Sequence, residues 1–198
     1  MVISAADVKK LRDMTGAGMM DAKKALTESD SDFDSAVKFL REKGLADSKK
    51  RANKEANQGT IGDYIHYQQE RAISGVLVEL ACETDFVAKS EEFKDAANQI
   101  AMHIAAMKPI YLNIENIPDA KLAEEKDIII KQSENEGKPA EVIDKIVEGR
   151  ITSFYKDTVL NEQIFCNPEI YEGKVSIMIE EMSGKLGEKI YIKQFSIV

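Results

Sequence analysis

Ala72-Ile73-Ser74-Gly75-Val76-Leu77-Val78-Glu79-Leu80-Ala81-Cys82-Glu83-Thr84-Asp85-Phe86-Val87-Ala88 is the stretch that decides the fold class. Val76, Val78, Leu80 and Cys82 recur at every second position, the period of a strand with one face buried. The alternation breaks at Glu83-Thr84-Asp85, and the period then changes. Phe93, Ala97, Ile100, Ile104 and Met107 fall along one side of a long amphipathic helix that Pro109 ends. Strand, break and helix in succession point to an α+β chain.

Upstream, Gly59 to Tyr67 carries Ile61, Ile65 and Tyr67 on one side of a second strand, and the polar Gln68 to Arg71 joins the two as an antiparallel hairpin. The first 44 residues read as three short helices. Ser4 with Asp7 is a capping pair ahead of Val8, Leu11 and Met14, and Thr15-Gly16 interrupts that stripe. Ala22, Ala25 and Leu26 mark a helix from about Met19 to Ser29. Ser31 with Asp34 opens a third, whose buried face is Phe33, Ala36, Val37 and Leu40, with Gly44 as its stop. Residues 45–58, with Lys49, Lys50, Arg51 and Lys54, read as a partly helical linker, and residues 59–198 as the main body.

Downstream, helices are expected from about Asp119 to Glu136 and from Pro139, the latter with Ile143, Ile146, Val147, Arg150 and Phe154 on one side. Val175 to Met182 fits both the strand and the helix period, so periodicity leaves it open. Lys189 to Val198 alternates as a strand. The expected architecture is a three-helix N-terminal module, 1–44, followed by a small antiparallel sheet packed with helices.

The 198 residues carry a net charge of −8. The first 58 hold 12 basic and 10 acidic groups, and the remaining 140 hold 15 and 25. A body that acidic is ill suited to a phosphate backbone, so direct nucleic-acid binding is not expected. Cys82 and Cys166 are too few for a metal site or a disulfide framework, which fits a reducing, cytoplasmic setting. The N-terminus lacks an export signal and no apolar run reaches membrane-spanning length, so no membrane partner is expected.

Enzyme chemistry finds little support. His66 falls in a strand pattern and His103 in a helix, with no nucleophile, base and orienting group in view. Cys82 ends an apolar strand, and the adjacent Glu83 and Asp85 disfavour its thiolate. Gly16 and Gly18 lie between helices without the Lys-Ser/Thr pair of a phosphate loop, so the chain does not hold a nucleotide itself. Neither a catalytic residue, a metal nor a cofactor is expected.

Two segments depart from ordinary core. In Thr15-Gly16-Ala17-Gly18-Met19-Met20 a flexible turn precedes two adjacent long apolar side chains that cannot both face inward, and thioethers suit an adaptable docking surface. In Thr84-Asp85-Phe86-Val87 an aromatic stands where a strand gives way to a helix. It can tuck onto the core or project as an anchor for a partner's pocket.

The run from Leu11 to Leu26, with Arg12 and Thr15-Gly16-Ala17-Gly18-Met19-Met20, and the run from Glu79 to Ala88, with Thr84-Asp85-Phe86-Val87, together resemble the two signatures of the elongation factor Ts family. Weaker likeness continues at Gly137-Lys138-Pro139, Val147-Glu148-Gly149-Arg150 and Leu186-Gly187-Glu188-Lys189-Ile190. Ala81 stands where an Asn is common, Gln163-Ile164-Phe165-Cys166 replaces a usual Gln-Pro-Phe-Val, and segments found in longer members are missing.

The resemblance implies a helix before Leu186-Gly187-Glu188 and a strand after it. It also implies an N-terminal module similar to a ubiquitin-associated domain, and a non-enzymatic exchange factor that binds elongation factor Tu. In that role Arg12, Met19 and Met20 contact the GTPase, and Thr84, Asp85, Phe86 and Val87 dislodge its Mg²⁺. A homodimer is a further possible partner. Two competing readings are a helical adaptor for ubiquitin-like surfaces, which gives Thr84 to Val87 no task, and a thiol enzyme using Cys82 with His66, which nothing orients.

Overall fold

A computed structural model describes residues 3–198, and the chain is α+β, with two compact units. The first unit gathers Met1–Gly59, Ala81–Ser90 and Ile177–Tyr191. The second gathers Thr60–Leu80, Glu91–Ser176 and Ile192–Val198.

In the first unit, α1 (Ala5–Thr15), α2 (Met19–Glu28) and α3 (Phe33–Lys50) form the N-terminal module. Ser4 caps α1 by accepting from the Asp7 amide at 3.1 Å, and Gly16 ends it at φ 70°, a left-handed conformation that glycine adopts without a Cβ penalty. Val8, Leu11, Ala22, Ala25, Leu26 and Ala36 are buried together, with Phe33, Val37 and Leu40 packed against them. A fully buried leucine such as Leu11 or Leu26 contributes about 1.5–3 kcal/mol over an exposed one. Met14 does not join this core; it lies exposed.

Two expectations for α3 are corrected. Its N-cap is Asp32, whose carboxylate accepts from the Ser35 amide at 2.8 Å, while Ser31 takes φ 67° in the preceding turn. Gly44 does not stop the helix, which continues to Lys50. Leu45, Ala46 and Asp47 are compatible with helix, and Gly44 serves packing instead. A Cβ on Gly184 of α8 (Val175–Leu186) would lie 2.5 Å from the Gly44 Cα, so the two helices cross where neither carries a side chain. Arg41 and Glu181 form an ion pair between the same two helices. The same unit includes the end of β2 and the short α4 (Asp85–Lys89).

The second unit is built on a three-stranded sheet in the order β1-β2-β3, from β1 (Gln58–Gln68), β2 (Arg71–Cys82) and β3 (Tyr191–Ile197). Gln69 and Glu70 turn the hairpin with φ 48° and 64°. Gly75 and Val198 exchange both backbone hydrogen bonds, the pairing of antiparallel strands. Val76, Val78 and Leu80 are buried, as are Phe93, Ala97, Ile100 and Ile104 of α5 (Glu91–Met107). Gly62 lets the sheet lie directly on α5, since a Cβ there would sit 2.3 Å from the Ala97 carbonyl carbon. The opposite side of the hairpin is apolar and open, with Ile61, Ile65, Tyr67, Ile73 and Leu77 all exposed.

Helices α6 (Asp119–Asn135) and α7 (Ala140–Thr158) pair as a hairpin, where Arg150 of α7 donates to Gln132 of α6 at 2.7 Å. The Gln163-Ile164-Phe165-Cys166 segment is held by His103 of α5. Nε2 of His103 lies 3.0 Å from the Gln163 Oε1, the Cys166 amide donates to Nδ1 at 3.0 Å, and Phe165 stacks on the imidazole with ring centres 5.2 Å apart. The segment with two possible periods is helical, as α8, and the C-terminal run is strand β3, both as the resemblance implied.

Candidate partner-binding site

All the residues singled out for partner contact belong to the first unit. Met19 and Met20 open α2 after Gly18, and both are exposed, Met20 to 77%. The sequence required one outward methionine; the structure has both outward, with exposed Met14 on the other flank of the Thr15–Gly18 turn. Met14 was missed because its spacing from Val8 and Leu11 matched the buried stripe, and its place one residue before the break was the available clue. Arg12 is exposed and pairs with Asp13 at 2.7 Å. Pairs so exposed contribute little to stability, leaving the guanidinium available to a stronger partner.

Thr84 to Val87 form the other half. The Thr84 hydroxyl accepts from the Val87 amide at 3.4 Å and so caps the single turn of α4. Phe86 on that turn is 84% exposed, so the aromatic projects rather than tucking in. Asp85 pairs with Lys89 at 2.7 Å, and that hydrogen bond holds its carboxyl below the usual range. The turn's inner side is anchored by buried Ala88 and Cys82.

The base of the tip is held by a reciprocal exchange between residues 83–84 and 188–189. Glu188 Oε2 accepts from the amides of Glu83 and Thr84, each at 3.0 Å, and Oε1 accepts from the Thr84 hydroxyl. In return, Glu83 Oε1 accepts from the Lys189 amide at 2.6 Å, and this bond is the main reason its carboxyl is held low. Arg51 and Lys54 pair with Glu83 at 3.4 and 3.6 Å, and Lys189 Nζ donates to the Lys54 carbonyl at 2.9 Å. In the last turn of α8, just before Glu188, the Lys185 side chain lies over Gly16, whose Cβ would meet its Cε at 2.0 Å. Lys185 to Lys189 therefore touches both candidate segments. In the sequence Glu188 stands out only as part of a weak likeness, because nothing local pairs a residue with partners 104 and 105 positions away.

Burial pushes the Cys82 thiol up to about 11, with the Glu188 charge adding to it. The direction agrees with the sequence reading, but the neighbouring charge that matters is Glu188 rather than Glu83 or Asp85. At neutral pH Cys82 is a packed thiol. His66 is exposed on β1 beside Tyr64, with Oη to Nδ1 at 3.3 Å. Among the described residues no group of three or more His, Cys, Asp or Glu side chains is placed to hold a metal ion, and no helix is long and apolar enough to cross a membrane.

A family model described as "Elongation factor TS" matches residues 4–170. The chain is 48% identical over 194 residues to a protein named elongation factor Ts from Moorella thermoacetica, covering 98% of this chain and 93% of that one. It is 49% identical over 195 residues to one of the same name from Caldanaerobacter subterraneus subsp. tengcongensis, covering 98% and 95%. With one from Thermosipho melanesiensis it shares 45% over 194 residues, covering 98% and 96%.

Proposed function

The chain belongs to the elongation factor Ts family, a family of translation elongation factors, and on that premise we propose that it binds elongation factor Tu carrying GDP and promotes release of the nucleotide. Arg12, Met19 and Met20 dock the N-terminal module on the GTPase. Thr84, Asp85, Phe86 and Val87 disturb its Mg²⁺ and phosphate site. The observation that carries this reading is Phe86, a large aromatic 84% exposed on a turn whose base is fixed. An apolar ring held in water by the fold has its use in a partner's pocket, where a single buried aromatic can carry much of the binding energy.

No covalent step is asked of this chain. Bound GDP depends on a Mg²⁺ ion bridging phosphate oxygens and on the amides of a phosphate loop, so a wedge that shifts those groups weakens the nucleotide at several contacts together. Linkage makes the effect reciprocal: a factor that lowers GDP affinity is itself bound less tightly by the GDP form, by the same ratio. The intermediate is a nucleotide-free complex that entering GTP resolves. Mixing the two proteins and separating the complex by size should give a species with less than stoichiometric guanine nucleotide, dissociated by added GDP. A stable complex retaining one GDP per GTPase would contradict the proposal.

The open side of the hairpin favours a second partner, another copy of this chain. Ile61, Ile65, Tyr67, Ile73 and Leu77 form an apolar surface of the kind that monomeric proteins seldom leave in water. Pairing of two such faces buries it and gives a homodimer.

A further inference from the structure

We infer that Glu188 is the positioning residue for Phe86, setting the direction of the wedge without touching the GTPase; this rests on the exchange reading above. Its carboxylate receives three hydrogen bonds from two consecutive residues: the Glu83 amide, the Thr84 amide and the Thr84 hydroxyl. The Thr84 hydroxyl in turn accepts from the Val87 amide, so the chain of bonds runs from Glu188 through Thr84 to the turn that carries Phe86. Bonds to an ionised acceptor are shorter and stronger than neutral ones, and two amides on one oxygen with a hydroxyl on the other fix the backbone's orientation as well as its place.

The anchor is itself fixed. The Ser183 hydroxyl donates to the Glu188 carbonyl, and the Lys189 amide donates back to Glu83, so neither segment can rotate alone. α4 is one turn long and cannot hold its own direction through helical bonding, which requires several consecutive turns. What aims Phe86 is therefore its base. Because Lys185, in the last turn of α8 just before Glu188, lies on the Gly16 turn, the end of α8 also sets the spacing between the wedge and the Met19-Met20 surface. A wedge and a docking surface are useful together only at one separation.

The test is a cycle of full-length variants, in which GDP release from the GTPase is followed by stopped flow and both the maximal rate and the half-saturating concentration are read. Misplacement by about 1 Å can cost on the order of 100-fold, and loss of all three bonds in Glu188→Ala is expected to lower the maximal rate about tenfold, with half-saturation changed by less than about twofold. Glu188→Gln, whose amide oxygen still accepts both backbone protons, should restore most of the rate. In a Phe86→Ala background, Glu188→Ala should add no further loss. Thr84→Val, which removes only the hydroxyl link, should show a smaller loss with the same dependence on Phe86, and it serves if Glu188→Ala does not fold. An equal loss in the presence and absence of the Phe86 ring, or a change in half-saturation alone, would overturn the inference. An unchanged maximal rate for Phe86→Ala by itself would instead overturn the wedge reading on which it rests.

Discussion

Replacing His103 with leucine removes the centre of the polar contact that holds residues 163–166. The imidazole is fully buried, and because Nδ1 accepts from the Cys166 amide, its proton lies on Nε2 and is donated to the Gln163 Oε1. The Gln163 amide nitrogen is engaged by the Asp157 carbonyl at 2.9 Å, so the side chain cannot turn to find another partner for its oxygen. His103→Leu therefore leaves a buried acceptor and a partly buried amide unpaired, each costing about 1–3 kcal/mol, and loses a ring stack of about 0.5–1.5 kcal/mol. The added apolar burial offsets part of this, and a net loss of about 3 kcal/mol is expected near pH 7.5. Burial holds the His103 pKa below its ordinary value. As the pH falls below about 6.5, the unfolded chain takes up a proton that the folded imidazole resists, so the wild type loses stability by at most about 1.4 kcal/mol per pH unit. The leucine variant has no such loss, and the gap between the two should shrink towards pH 5. The assay is urea unfolding followed by circular dichroism, since the chain has no tryptophan. A gap below about 0.5 kcal/mol at pH 7.5, within the range of a neutral surface change, or one that widens on acidification, would refute the reasoning.

Gly62→Ala should lower stability by about 1–3 kcal/mol or more, because the new methyl meets the α5 backbone at Ala97 rather than a side chain that can move; an unchanged urea midpoint would contradict it. Cys82 should resist a thiol-directed electrophile in the folded protein at neutral pH and react on unfolding, as a thiol pushed up to about 11 requires, and rapid labelling of the native protein would argue the reverse. Met20→Lys should raise the concentration needed for half-maximal GDP release while leaving the maximal rate within about twofold, since an exposed side chain of the N-terminal module contributes to docking alone; a fall in the maximal rate alone would remove Met20 from the docking surface. Leu77→Lys should shift the sedimentation of the chain towards the monomer without impairing folding, and an unaltered mass would sink the sheet-face dimer.

The elements whose signal is local were legible in the sequence. Ser4 and Gly16 bracket α1 through capping and backbone freedom, and the alternation of Val76, Val78 and Leu80 marks a strand because one side of it is buried. Gly44 misled for the same reason that Gly16 did not: glycine at a helix end and glycine at a helix crossing look alike until the crossing helix is placed, and Gly184 lies 140 positions further along. Asp32 and Ser31 are both competent caps, and only the turn geometry chooses between them. Val175 to Met182 carries both periods because half-buried Ile177 adds an apolar residue opposite the buried face of Val175, Ile179 and Met182.

At the candidate site, adjacency exposed Met19 and Met20, and the strand-to-helix junction drew attention to Phe86. Whether that ring projected was not decidable from the residues around it, because the decision rests on Glu188. A long-range carboxylate leaves no periodic trace. Met14 shows the opposite failure, a residue with the right period whose helix ends before a neighbour can cover it.

The most direct test of exchange activity is stopped-flow release of a fluorescent GDP analogue from purified elongation factor Tu, chased with excess unlabelled nucleotide, over a range of concentrations of this protein. The account predicts a release rate that rises with concentration and then saturates. A rate that stays at the unassisted value at every concentration, with the GTPase shown to be active, would contradict it.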